Sequence, residues 1–388
     1  MSLPALLRNV RVLQVLAQIL FVVLLALAAG FLYANVTTNL ARQGLTTGYD
    51  FIDNPASFDI GESYIPYEPS DSYGHALLVG LVNTLVLSAL GIILTTVVGG
   101  IAGIARLSSN WLISRIAAAY VGVIRNTPLI IQLMFWYFGI VLQLPPVRDP
   151  VALPGSIFLT QRGVYLSRFD PTSTFDSWRI FIWIALVSIA VIWFIFRLIQ
   201  KRSELPLPLW AYAVYIVVPV LILWIGYVIQ PEPPLQANLP ELAGLNFRGG
   251  LRFTPEFAAL LFGLVVYTGA FIAEIVRAGI QAVSRGQVEA ARSLGFTGAQ
   301  ALQLIIFPQA LRVIIPPLTS QYLNLAKNSS LAIAIGYPDL FSIAGTVINQ
   351  TGSTLEVIAI MMLSYLSMSL FTSFLMNIYN SRMRLVER

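Results

Sequence analysis

Residues 286–308 read Gly-Gln-Val-Glu-Ala-Ala-Arg-Ser-Leu-Gly-Phe-Thr-Gly-Ala-Gln-Ala-Leu-Gln-Leu-Ile-Ile-Phe-Pro. Glu289-Ala290-Ala291 is followed, three residues on, by Gly295. Nine residues later comes Ile305, and one further residue leads to Phe307-Pro308. Val288, Ala291 and Leu294 repeat at helical spacing, which predicts a short helix with a small apolar face. Gly295 can end that helix as a C-cap. Pro308 then restarts the chain into a long apolar stretch near 304–328, and another lies upstream near 257–280. A short helix of small residues held between two such stretches suits docking into a groove on a partner.

Working outward, six more apolar stretches appear, near 12–34, 77–104, 113–141, 180–197, 208–229 and 355–378. A bilayer core takes about 20 mostly apolar residues per helix, so the chain reads as eight membrane spans. Any single stretch could be a buried helix of a soluble core, but eight together could not. Residues 12–34 are too long for a typical signal-peptide core and lack a good cleavage site, so they are expected to remain as an anchor. Composition agrees. Charged residues make up 11% of the 388 residues and apolar ones 57%, against about 25% charged in soluble domains. This excludes an ordinary soluble enzyme, a disordered chain and a nucleic-acid binder. Cysteine is absent and His75 is the only histidine. Thiol chemistry, a multi-histidine metal site and serine–histidine catalysis are therefore not expected, nor is any bound metal.

Charge sorts by side. With the N-terminus placed inside, the inside segments and adjoining span ends hold fourteen Lys/Arg and three acids. The outside segments hold seven arginines and fourteen acids. The positive-inside rule then puts both termini in the cytoplasm. The outside loops 35–76, 142–179 and 230–256 are long and rich in turn residues, a composition compatible with a small structured cap.

The 286–308 segment resembles the EAA loop of type I ABC importer permeases, with Phe307 where that pattern has Leu. Matching Glu, Ala, Ala, Gly and Pro at these spacings by chance is expected in about one chain of this length in a thousand. Other stretches are similar to permeases for polar amino acids: Tyr120 through Arg125-Asn126-Thr127-Pro128 to Gln132, with Asn126 replacing Gly; Tyr267 through Ala273-Glu274 to Arg277-Ala278-Gly279; and Lys327-Asn328-Ser329-Ser330-Leu331. The likeness covers about 77–141 and 257–380. The extra first helix and the helix pair at 180–229 resemble the larger permease of general L-amino acid importers.

The resemblance implies an all-α polytopic membrane protein of about eight transmembrane helices, with the type I ABC importer permease fold. Four sections are expected: an anchor helix and outer loop at 1–76, the first part of the permease core at 77–141, inserted loops and a helix pair at 142–256, and the second part of the core with the coupling loop at 257–388. The implied function is that of a non-catalytic permease subunit importing amino acids across a bacterial inner membrane. Its implied partners are ABC ATPase subunits, a second permease (a copy or a paralogue), an external solute-binding protein and the amino acid itself. No cofactor is expected in this chain. It has no G-x-x-x-x-G-K-[ST] loop, so ATP and Mg would sit on the ATPases. Glu289, Ala290, Ala291 and Gly295 would couple to them. The alternative is an ion-coupled secondary transporter working alone, with Arg125, Glu274 and Lys327 as coupling groups.

Ionisable groups at membrane depth invite a functional reading. Arg125 falls near the middle of its stretch, just before Pro128. It could receive a carboxylate with a bidentate hydrogen bond, or brace the carbonyls of a helix broken by the proline. Thr127 lies beside it. Lys327, Asn328, Ser329 and Ser330 gather where a helix is expected to unwind before Gly336-Tyr337-Pro338. They could line a substrate cavity; in the other reading Lys327 snorkels and the serines satisfy local backbone. Arg125 and the Lys327 cluster are expected to share one cavity. Glu274 and Arg277, three apart, are expected to form a local ion pair. Tyr267 and Thr268 could line the path or pack, and Asn83 and Thr84 carry the same ambiguity.

Overall fold

The structure is a computed structural model that describes residues 10–42, 48–202 and 209–383. Among the described residues, eleven α-helices of six residues or more carry most of the fold. The first, α1 (Val10–Arg42), is exposed at most of its described side chains. After it, residues 48–72 fold as an irregular cap around a short 3-10 turn at Asp50–Asp53. Then come α2 (Tyr73–Ala105), α3 (Trp111–Arg125) and α4 (Leu129–Met134). A π-helical turn at Phe135–Ile140 and a 3-10 turn at Val141–Gln143 complete this region.

Residues 151–253 alternate short strands with a helix pair. The strands are β1 (Val151–Leu153), β2 (Ile157–Thr160), β3 (Gly163–Leu166) and β4 (Arg168–Pro171). The helices are α5 (Phe175–Arg202) and α6 (Leu209–Ile229). Four strands follow: β5 (Leu235–Asn238), β6 (Glu241–Ala243), β7 (Asn246–Arg248) and β8 (Leu251–Phe253). The chain continues through α7 (Pro255–Gln281), α8 (Arg285–Ser293) and α9 (Phe307–Asn328), then a 3-10 turn at Ser329–Ile335, α10 (Leu340–Thr351) and α11 (Thr354–Met383).

Among the described residues six helices are long and apolar enough to cross a membrane, or seven if the bent pair Trp111–Arg125 and Leu129–Gln143 is one span. Each of the eight expected stretches is helical. The stretch at 113–141 is broken, its second half bent by 107° from the first, because Pro128 cannot donate to the helix ladder. The stretch at 208–229 contributes the shorter apolar helix Ala213–Ile229. The chain is all-α in class and polytopic.

The loops 142–179 and 230–256 do form ordered structure. β1, β2, β3 and β8 make an antiparallel four-stranded sheet, β4 pairs with β5, and β6 with β7. Tyr165 is buried there, its hydroxyl 2.6 Å from the Asn246 Oδ1 that accepts it. Contacts divide the chain into two units, residues 1–137 with 259–388, and residues 138–258. In the first unit the 48–72 cap is seated on the helices through Phe51, Ala56 and Ile60, which pack with Ala76, Leu77 and Val79 of α2 and Leu340 and Ile343 of α10. Small residues bring α2 close to its neighbours. A Cβ on Gly99 would lie 2.6 Å from Ile272 of α7, and one on Gly103 would lie 2.7 Å from the Ala273 carbonyl. Close backbone approach of this kind is how helices associate in lipid, where burial alone gives little drive.

Candidate functional site

The short helix predicted around Glu289 is α8. It ends in a Schellman motif: Phe296 N donates to Ala291 O at 3.1 Å and Gly295 N to Arg292 O at 2.9 Å, with Gly295 at φ +82°. That closes the last turn by satisfying carbonyls that would otherwise lack donors. A Cβ at Gly295 would meet nothing within 4 Å, so backbone conformation alone requires glycine here. The expected apolar docking face is only partly available. Ala291 is 1% exposed because α8 lies against the π-helical turn Leu302–Ile306, and Val288 is half-buried. A nine-residue helix cannot hold itself in place, so its small apolar side is used to fasten it to its own chain. Glu289, Ala290 and Gly295 are exposed, and Leu294 projects with 76% of its surface free.

The second feature is an ionic cluster that joins three helices. Glu274 of α7 accepts hydrogen bonds from Arg277 on its own helix and from Arg106 at the end of α2. Arg125, ending α3, approaches the same carboxylate at 4.0 Å and lies over the Phe271 ring at 5.1 Å. The Glu274–Arg277 pair is as expected. Arg106 was not anticipated, since 168 residues separate it from Glu274 and nothing local relates them. A hollow of about 370 Å³ is lined here by Arg106, Arg125, Asn126, Phe271 and Glu274.

Arg125 does not brace the broken helix. Gln132 does: its buried Nε2 donates to Ile124 O and Thr127 O, each at 2.9 Å. Thr127 Oγ1 donates to Val123 O at 2.9 Å. These bonds occupy carbonyls at the turn before Pro128. The amide at the fourth position after Pro128 was the available signal.

The third feature surrounds Lys327. α9 gives way to the 3-10 turn at Ser329, and Gly336 at φ +79° ends that turn. Ser329 Oγ donates to Ala326 O at 2.9 Å and reaches Asp339 Oδ2 at 3.3 Å. Ser330 Oγ donates to Lys327 O at 2.9 Å. Asp339 is fully buried and caps α10, accepting from Ser342 N at 2.9 Å. Tyr365 of α11 donates to its Oδ2 at 3.4 Å. Burial pushes the Asp339 carboxyl up to about 6.

Asn83 and Thr84 belong to this framework. Asn83 Nδ2 donates to Glu62 O at 2.8 Å and Pro338 O at 2.9 Å, and Thr84 Oγ1 accepts from Leu340 N at 3.0 Å. They fasten the 337–340 turn to α2. Lys327 is exposed and Asn328 half-buried. Lys327, Ser330, Phe341, Met361, Met362 and Tyr365 line a hollow of about 360 Å³.

Arg125 and Lys327 therefore line two separate hollows, not the single cavity expected of them. Arg125 is instead drawn to the Glu274 carboxylate on α7, while Lys327 is carried by the α9 end toward α10 and α11. Tyr267 is half-buried with its ring 5.0 Å from Phe271. Thr268 is buried. His75 Nε2 lies 2.8 Å from Pro66 O and its ring stacks on Tyr67, an arrangement that holds the cap.

The family described as "Binding-protein-dependent transport system inner membrane component" matches residues 205–385. The putative amino-acid ABC transporter permease protein YhdX of Escherichia coli K12 is 46% identical over 376 residues, 96% of this chain and 94% of that protein. The general L-amino acid transport system permease protein AapQ of Rhizobium johnstonii is 43% identical, covering 96% of this chain and 92% of AapQ. The glutamate/glutamine/aspartate/asparagine transport system permease protein BztB of Rhodobacter capsulatus is 37% identical, covering 95% and 93%.

Proposed function

Because this chain belongs to the family of binding-protein-dependent transport system inner membrane components, we propose that it is the permease subunit of an ATP-driven ABC importer for amino acids. The observation that carries the mechanism is α8, a short exposed helix between two spans, ended by a glycine lock and presenting Leu294 and Glu289. Such a helix fits a groove on an ATPase subunit. Two ATPases would dock there and on a second permease, a paralogue or a copy of this chain. An external binding protein would deliver the amino acid. ATP and Mg would be held by the ATPases, so this chain catalyses no reaction.

The charge bias supports a cytoplasmic position for both termini and for α8 with them, the side on which ATPases would dock. ATP binding would draw the ATPases together, move α8, and through it move the spans that flank it. Arg125, Thr127 and Tyr267 are proposed contacts on the substrate path, as are Lys327, Asn328, Ser329 and Ser330. Glu289, Ala290, Ala291 and Gly295 are proposed as the coupling segment, Ala291 acting by seating α8, Gly295 by ending it, and Glu289 and Ala290 by contact.

The test is uptake of labelled amino acids by proteoliposomes. The complex should accumulate substrate only with ATP, the ATPases and the binding protein all present. Accumulation by this chain alone, driven by an ion gradient, would establish the secondary-transporter reading instead.

A further inference from the structure

The ionic cluster on α7 is unbalanced. Arg106, Arg125 and Arg277 surround the single carboxylate of Glu274, so three positive charges against one negative leave the group at +2. The carboxylate is also spent. Its Oε2 accepts from Arg106 and Arg277, and its Oε1 from Arg277. Arg277 is engaged by Gln281 as well. Arg125 differs from its neighbours. Its guanidinium donates no hydrogen bond among the described residues, and it comes no nearer to Glu274 than 4.0 Å. It is held over the Phe271 ring at 5.1 Å. A guanidinium held by its face keeps the N–H donors in its plane for another partner.

Those donors open on the hollow of about 370 Å³. The Arg125 side chain is 40% exposed. The wall of the hollow is more polar than apolar, and Arg106, Arg125, Asn126 and Glu274 are its only residues with polar side chains. The charged and amide groups themselves therefore face the space. Asn126 Nδ2 donates to Gly122 O at 2.7 Å, which leaves the amide oxygen as an acceptor. Gly122 forms an open floor, since a Cβ there would meet nothing within 4 Å. The volume falls within the range of small-molecule sites.

A carboxylate fits the Arg125 fork with two parallel hydrogen bonds, and an α-ammonium fits the Asn126 oxygen. The unmatched charge then sorts amino acids by side chain. An acidic side chain brings the +2 of the cluster to +1, a neutral one leaves it, and a cationic one raises it to +3. Charges that share a hollow walled by protein are screened less than in water, and a like-charge encounter of this kind excludes a competitor more sharply than any added contact.

We propose that this hollow takes amino acids by their carboxylate on Arg125 and selects them by charge, favouring acidic side chains, admitting neutral ones and rejecting cationic ones. The proposal rests on the amino-acid permease reading, in which Arg125 contacts substrate, and adds a substrate class to it.

The experiment measures equilibrium binding of labelled glutamate, alanine and lysine to the full complex in nanodiscs without the binding protein, so that the selectivity read is that of the membrane complex. The wild type should bind glutamate at least tenfold more tightly than lysine, with alanine between. Arg125→Gln should lower the glutamate-to-lysine ratio at least tenfold. Asn126→Asp places a negative charge in the hollow at an exposed position and should lower the same ratio at least tenfold. Gly122→Leu fills the floor without striking a neighbour and should abolish binding of all three while the complex stays assembled. Undiminished binding in Gly122→Leu, or a ratio that Asn126→Asp leaves unchanged, would overturn the proposal, and these two variants decide it if Arg125→Gln fails to assemble. So would lysine bound as tightly as glutamate by the wild type, or an anionic phospholipid that copurifies with the wild type, is lost from Arg125→Gln, and leaves amino-acid binding unchanged when lost. A wild-type complex that imports no amino acid in proteoliposomes would instead overturn the underlying function.

Discussion

Gly295 shows how much one backbone angle can carry. Its φ of +82° closes the end of α8, and a side chain there would cost about 1–2 kcal/mol by conformation, more for a β-branched one. No neighbour would be struck, so the permease should still insert and fold. Gly295→Val is therefore expected to leave membrane insertion intact while separating ATP hydrolysis from transport. ATPase activity and uptake measured on the same proteoliposomes check this; normal coupled uptake would remove α8 from the mechanism. Arg125 teaches the opposite lesson at the same scale. Its charge and its proline neighbour were visible in the sequence, but its partners were not. Phe271 and Glu274 come from a helix more than a hundred residues away, and Gln132 had taken the carbonyls.

At the scale of elements, Glu274 links the ends of α2 and α3 to α7. Three guanidiniums converge on one carboxylate of which only a quarter is exposed. Glu274→Gln would leave them facing one another, and a loss of about 2–4 kcal/mol is expected from uncompensated charge. The reciprocal pair Arg106→Glu with Glu274→Arg should recover part of it, read as thermal unfolding of the purified protein. No recovery would mean that Arg277 and Arg125, not Arg106, set the cost.

Asp339 makes a different prediction, because it holds the 3-10 turn, α10 and α11 together between two spans. Its native carboxyl titrates near 6, against 3.8 unperturbed. The native state thus binds the proton more tightly. The stability from this group is fully present below about 3.8 and is lost as pH rises through about 6. Over that window the change amounts to about 3 kcal/mol. The groups facing it are the hydroxyls of Ser329 and Tyr365 and the backbone amides of Phe341 and Ser342. Asp339→Asn keeps an acceptor for the α10 cap. It should flatten the melting temperature between pH 4 and pH 7, with a higher value than wild type at pH 7. An unchanged pH profile would show that Asp339 is already protonated throughout.

For the whole molecule the testable property is sidedness. The chain has no cysteine, so single cysteines can be introduced without a background. With the termini inside, Glu68→Cys and Glu241→Cys should react with an impermeant maleimide in intact cells, and Gly298→Cys only after permeabilisation. The reverse pattern would invert the topology and place α8 where no ATPase could reach it.

The sequence by itself determined the membrane class, the approximate position of nearly every span, the short helix around Glu289 with its glycine end, and the family. These are set by properties that act within one segment: apolar length, helical spacing, a φ that favours glycine, and a motif of fixed spacing. The Glu274–Arg277 pair was legible for the same reason, being one helical turn apart. Tertiary structure alone decided the rest. It turned Ala291 inward, bent the 113–141 stretch at Pro128 and paired strands across the α5–α6 insertion. It brought Arg106 to Glu274 and Asp339 to Ser329 and Tyr365, and it placed Arg125 and Lys327 in different hollows. Each of these depends on which helix faces which at close range. In a chain whose spans are apolar nearly all round, hydrophobic pattern does not encode that choice; small residues such as Gly99 and Gly103, and the few polar side chains that find partners, make it.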